Sequence, residues 1–153
     1  MRLQEVYGEY KATLAPGIVR NRRAMEDWMR PCVDLCWVCD RCLNSLRQME
    51  ALLSYEKTRA FAIVSDRGFV IGAIYFLEDE IHGNMFDGMI TNKVGMFKEA
   101  IELVKEDYDT IFMNVPEDSL PIAHWARRKL GFKDTVTLPH AWDGELDVVR
   151  MEV

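Results

Sequence analysis

The sequence predicts one domain of the mixed α/β class, an antiparallel meander followed by strand–helix–strand crossovers. Three observations predict it. A chain of 153 residues with 49% hydrophobic and 29% charged side chains has the length and balance of one domain with a core, and intrinsic disorder is excluded. Residues 69–77 (FVIGAIYFL) form a nearly continuous apolar run of strand length, rich in β-branched and aromatic side chains, as in a strand buried on both faces. Val94, Phe97, Ile101 and Val104, widened by Met96, Ala100 and Leu103, make a helical stripe that must pack against such a sheet.

The elements follow in order. Residues 3–7 read as a short first strand, with Leu3, Val6 and Tyr7 as its strand formers. Ala15-Pro16-Gly17 is the longest turn-like stretch, too short to link two domains. Residues 22–30 read as one helix. Pro31 suits the first turn of a second, where its missing N–H is unpaired in any case. On a helical wheel Cys32, Leu35, Cys36, Cys39, Cys42, Leu43 and Leu46 share an arc, with Asp34, Arg41, Asn44 and Ser45 opposite, so this helix is expected to run to Ser54. Residues 61–65 read as a strand, Asp66-Arg67-Gly68 as a turn with glycine free to take positive φ, and 69–77 as the next strand. Ile81, Met85 and Met89 alternate with His82 and Asn84, which predicts a third strand and closes the meander.

The apolar stripe then predicts a helix over 93–107. Residues 110–115 (TIFMNV) read as a strand ended by Pro116. Asp118 or Ser119 can cap the following helix, Pro121 lies in its first turn, and Ile122, Trp125, Ala126 and Leu130 share a face. Arg127, Arg128 and Lys129 suit a helix C-terminus, and Gly131 its left-handed end. Residues 132–137 and 147–153 read as closing strands, with Pro139, Trp142, Asp143 and Gly144 in their connection. The order is β, α, α, β, β, β, α, β, α, β, β, and one domain is expected to span residues 1–153.

Composition narrows the function classes. No apolar run reaches the ~18 residues of a membrane span, and Met1-Arg2-Leu3-Gln4-Glu5 lacks the apolar core of a signal peptide. A cytoplasmic, reducing setting is expected, with the four cysteines as thiols. A net charge of −6 argues against general nucleic-acid binding. Arg20, Arg22, Arg23 and Arg30 nevertheless form a local basic cluster. It is either an anion or partner site or a solvated face pairing with Glu26 and Asp27.

The element order and the segment AHWARRKLGF at 123–132 resemble the acyl-CoA N-acyltransferase (GNAT) superfamily, whose last helix ends in a similar Lys-Leu-Gly-Phe stretch. EAIELVKE at 99–106 is similar to its cofactor-loop helix. The resemblance implies a twisted mixed sheet with helices on both faces. It also implies an acetyl-CoA site around Met89, Thr91, Lys93, Gly95, Met96 and Asn114, and an acceptor amine facing the third meander strand. There Glu80, His82 or Asp87 could serve as base. The loop departs from the family's Gly-rich pattern: Lys93 and Gly95 are present without a second glycine in register, and Arg127 stands where the family's acid Tyr usually sits. Arginine stays protonated and cannot replace it.

A narrower resemblance, carried by YDTIF at 108–112 and Leu130-Gly131-Phe132, is to GNAT-like proteins that tailed bacteriophages encode among head-assembly and internal virion genes. It implies a scaffold without chemistry, acting through protein contacts in virion assembly, with phage structural proteins or further copies of itself as partners, in the host cytoplasm or associated with the virion. Active acetyl-CoA-dependent N-acetyl transfer is the alternative. Trp37, facing away from the cysteines beside Val33 and Val38, is then either partner surface or covered core.

Cys32-x3-Cys36-x2-Cys39, with Cys42 as a fourth, has the spacing of thiolate ligands for iron–sulfur or zinc. The helical reading makes all four small core residues and separates sulfurs seven residues apart by about 10 Å along the axis, so no metal is expected. His124 is expected to be a surface or packing residue.

Overall fold

The meander predicted from alternation forms one half of a seven-stranded sheet in a computed structural model, which describes residues 1–20, 29–86, 92–116, 120–138 and 148–153. The strands are β1 (Arg2–Val6), β2 (Arg59–Val64), β3 (Val70–Leu77), β4 (Glu80–Met85), β5 (Phe112–Pro116), β6 (Lys133–Leu138) and β7 (Val148–Glu152), in the order β1-β2-β3-β4-β5-β7-β6. Every neighbouring pair is antiparallel except β4 and β5, which run parallel.

Period-two alternation sorts the side chains. Phe61, Ile63, Ile74, Phe76, Ile81, Met113 and Val115 face one layer, made by α3 (Lys93–Val104), α4 (Leu120–Trp125) and the widened π turn Ala126–Leu130 that continues it. Ala60, Ala62, Val64, Ala73 and Tyr75 face the other, made by a 3-10 segment (Gly8–Leu14), α1 (Ala15–Val19) and α2 (Asp40–Ser54). Small residues on the second face let the helices approach closely. The run at 69–77 is thus buried on both faces through residues 72–76, as its composition predicts. Gly83 on β4 lets α3 sit down on the sheet, because a Cβ there would strike the Phe97 ring. Gly131 takes φ 79° and closes the π turn onto Ala126, as expected of a left-handed end.

The first third of the chain differs from expectation. Ala15-Pro16-Gly17 is the start of α1 rather than a turn, with Pro16 in its first turn. The cysteine helix begins at Asp40, not Pro31. Leu35 and Trp37 take φ of 49° and 62°, which no helix tolerates, and Cys39 becomes the cap, its Sγ accepting from the Cys42 amide at 3.4 Å. Cys32, Cys36 and Cys39 therefore lie in a loop and not on a helix face. Trp37 is half-buried against the α2 layer, while Val33 and Val38 are exposed.

The predicted helix at 22–30 and the cap at Asp118 or Ser119 fall outside the described residues, apart from Met29 and Arg30. So do Arg22 and Arg23 of the basic cluster. Arg20 is exposed. Among the described residues no helix is long and apolar enough to cross a membrane.

Candidate functional site

The parallel strands β4 and β5 are paired at one register position, Glu80 with Phe112, where the Phe112 amide donates to the Asp79 carbonyl at 2.8 Å. Beyond that rung the two six- and five-residue strands share no further ladder among the described residues. The sheet is splayed there, and the chemistry-bearing residues gather beside the splay.

Alternation on β4 sends Ile81 and Met85 to the α3 layer and Glu80, His82 and Asn84 to the opposite face. The His82 Nε2 lies 3.0 Å from a Glu80 carboxylate oxygen. The His82 ring stacks on Tyr75 of β3 at 4.9 Å with 10° between planes, as expected of directly opposed residues. From β5, the Asn114 amide hydrogen-bonds Glu80. From β7, Arg150 lies opposite Asn114, its guanidinium 3.8 Å over the Phe112 ring.

Burial alone would push the Glu80 carboxyl up. The hydrogen bond and charge of His82, the Asn114 amide and the charge of Arg150 outweigh it and hold the carboxyl below its ordinary range. Glu80 is therefore a firmly ionised carboxylate, inside the sheet and not on a solvated hairpin edge. The Tyr75 phenol is pushed well above its usual value by burial and stays neutral. Asn84 is buried with its amide against the Tyr75 hydroxyl, without a well-formed hydrogen bond at either polar atom, and the Asn114 Oδ1 is also without one. Buried amides left this way are costly and rare.

Of the residues predicted from sequence, Glu80, His82 and Asn114 are thus brought together. Asp87, Met89 and Thr91 lie outside the described residues. Lys93 is exposed at the first position of α3. The Gly95 amide donates to the Asn92 side-chain oxygen at 3.3 Å, and the Met96 amide to the Asn92 carbonyl at 3.3 Å. The Met96 side chain is in the core. An anion at this helix end must use the amides of Lys93 and Val94 or displace the Asn92 amide.

Arg127 donates two hydrogen bonds of 2.8 Å to the two oxygens of Asp134 on β6, a forked pair. His124 is exposed, as expected. Sequence reading missed Tyr75, Asn84 and Arg150. Asn84 had a usable signal, sharing the alternation of Glu80 and His82. Arg150 had none, since only the β5–β7 pairing brings it in.

This sheet order, with its splayed parallel pair and helices on both faces, matches solved acetyltransferases. A mutant of the spermidine N-acetyltransferase SpeG from Vibrio cholerae superposes with TM-score 0.70 at 16% identity, over 99% of this chain and 92% of that one. The chain has the GNAT fold. A chimera of the Vibrio cholerae SpeG with hSSAT gives 0.70 at 12% identity, over 100% and 96%. A dodecameric spermidine N-acetyltransferase from Vibrio cholerae gives 0.66 at 15%, over 99% and 92%. No protein-family model and no curated protein sequence matches the chain. The GNAT scaffold places Glu80, His82, Asn84 and Asn114 along the splay between its two central strands.

Proposed function

We propose that the chain is a GNAT-fold N-acyltransferase for a small cationic amine, with the splay beside Glu80 as its site. The observation that carries this reading is the polar column itself, part-buried at Glu80, His82 and Asn114 and fully buried at Asn84. A carboxylate, an imidazole and two amides with hydrogen-bonding capacity to spare are costly where an apolar core would serve, and they line the gap between β4 and β5.

In this reading Glu80 holds the ammonium form of the acceptor, and His82, 3.0 Å from Glu80, is the group positioned to take a proton as the amine becomes nucleophilic. Asn84 and Asn114 give hydrogen bonds to the amide-bearing arm of the acyl donor. Acetyl-CoA fits that arm by chemistry, since its amides complement the Asn84 amide and the unmet Oδ1 of Asn114. When bound, it supplies the thioester carbonyl that the amine attacks. Its phosphates fit less well at α3, where Asn92 occupies the Gly95 amide. Thermal melting with and without millimolar acetyl-CoA tests the reading, followed by acetyl transfer to spermidine and a panel of other amines. A saturable shift with turnover lost in Glu80→Gln is expected. No shift and no turnover sinks it.

A second reading is favoured by the Asn92 cap and the forked Arg127–Asp134 pair, which take away an anion-binding amide and the position of an acid. It is a GNAT-like phage protein without catalysis, working through protein contacts in virion assembly, alone or as a homo-oligomer. Mass spectrometry of purified particles detects it under this reading, and its absence from them removes the reading.

A further inference from the structure

Four sulfurs converge ahead of α2. The Sγ atoms of Cys32, Cys36, Cys39 and Cys42 all lie within 4.8 Å of one another. Cys32 Sγ is 3.7 Å from Cys36 Sγ and 3.1 Å from Cys42 Sγ. Four thiolates at the zinc–sulfur bond length around a tetrahedral ion sit about 3.8 Å apart. We propose that these four cysteines bind a single structural zinc ion that fastens the 32–39 loop to the N-terminus of α2.

The geometry selects this over the other uses of cysteine. The Cys32–Cys36 and Cys32–Cys42 separations exceed the ~2.05 Å of a disulfide, and all four residues are free thiols. Sulfurs bound to separate irons of a cluster lie farther apart than sulfurs sharing one ion, so a set this tight fits one metal. Four protein ligands leave no open position, which marks the site as structural and not catalytic.

The surroundings suit thiolates. The Cys39 amide donates to Cys36 Sγ at 3.3 Å and the Cys42 amide to Cys39 Sγ at 3.4 Å. The positive end of the 15-residue helix α2 lies at Cys39. Binding releases the thiol protons to solvent and leaves a site of net charge −2, which these donors offset. The left-handed Leu35 and Trp37 are the bends that turn the loop's sulfurs inward, while their side chains pack on the α2 layer. Arg41 ties the loop's start down by donating to the Arg30 carbonyl at 3.0 Å. Cys36 is exposed and Cys42 buried, so an ion can enter from solvent.

The test is metal analysis of the full chain purified under reducing conditions without added metal. About one zinc per chain is expected. Cobalt(II) titrated into the chelated protein should give the intense visible bands of a tetrahedral tetrathiolate. Cys36→Ser, at the exposed sulfur, should weaken cobalt binding by about tenfold or more and change its spectrum. Chelation of the unaltered chain should lower its melting temperature, reversed by zinc. Zinc far below one per chain together with no tetrathiolate spectrum overturns the proposal. Stoichiometric iron or a disulfide among these cysteines overturns it equally. None of these readouts depends on acyl transfer.

Discussion

The Asn92 side-chain oxygen accepts from the Gly95 amide at 3.3 Å, and the two residues are in close register: a Cβ at position 95 would lie 2.7 Å from the Asn92 side chain and push it off its cap. The side chain that begins α3 thus fills the place an incoming anion would take. Asn92→Ala removes the cap and should cost about 1 kcal/mol, a fall of roughly 3 °C in melting temperature. If the splay is an acyl-donor site, the same change frees the Gly95 amide and tightens acetyl-CoA binding. Calorimetric titration beside a melting curve reads both effects.

Glu80 supplies a pH signature. Its carboxyl is held below the ordinary range in the folded chain, and an unfolded glutamate titrates at about 4.3. The unfolded state therefore takes up the proton first as pH falls. The stabilisation is present in full above about pH 5 and is lost as pH drops through 4 toward the depressed folded value. Glu80→Gln should lower stability at pH 7 by about 1 kcal/mol and flatten the acid limb of a stability–pH curve. If the chain transfers acyl groups as proposed, the same change should cut that transfer by about a hundredfold or more.

Arg59 joins three elements. It pairs with both carboxylate oxygens of Glu5 at 2.6 and 3.0 Å, with Asp107 at 3.0 Å, and with the Leu103 carbonyl at 2.9 Å. Arg59→Ala strands the half-buried Glu5 carboxylate and a helix-end carbonyl. A loss of about 2 kcal/mol is expected in urea denaturation, with the midpoint moving and the slope unchanged.

Gly83→Ala places a methyl group in the Phe97 ring. Overpacking should cost about 2 kcal/mol, and Phe97→Leu in the same chain should recover part of it. An additive double variant would show that the contact is not the cause.

The sheet was legible where one element carries its own signal: the apolar run at 69–77, the α3 stripe, the Leu-Gly-Phe exit from the last helix. The cysteine segment was misread for a physical reason. Its spacings of four, three and three residues match the helical period, and the bends fall at Leu35 and Trp37, which carry none of the sequence marks of left-handed backbone that glycine would. The candidate site was half legible. Glu80 and His82 announce themselves by alternation on one strand, and Asn114 entered through family resemblance. Their convergence with Tyr75 and Arg150 exists only once β3, β4, β5 and β7 are set side by side.

The single rung between Glu80 and Phe112 gives this sheet two extra borders in its middle. Edge strands elsewhere present rows of amide and carbonyl groups that invite another chain to pair with them. Here β4 and β5 carry such rows on the inside, facing each other. An extended guest entering the gap would be gripped through its main-chain-like amides whatever its side groups, as an added strand is. Under the proposed function, part of the grip on the arm then rests on backbone groups that no side-chain substitution can delete, beside the contacts proposed for the two asparagines.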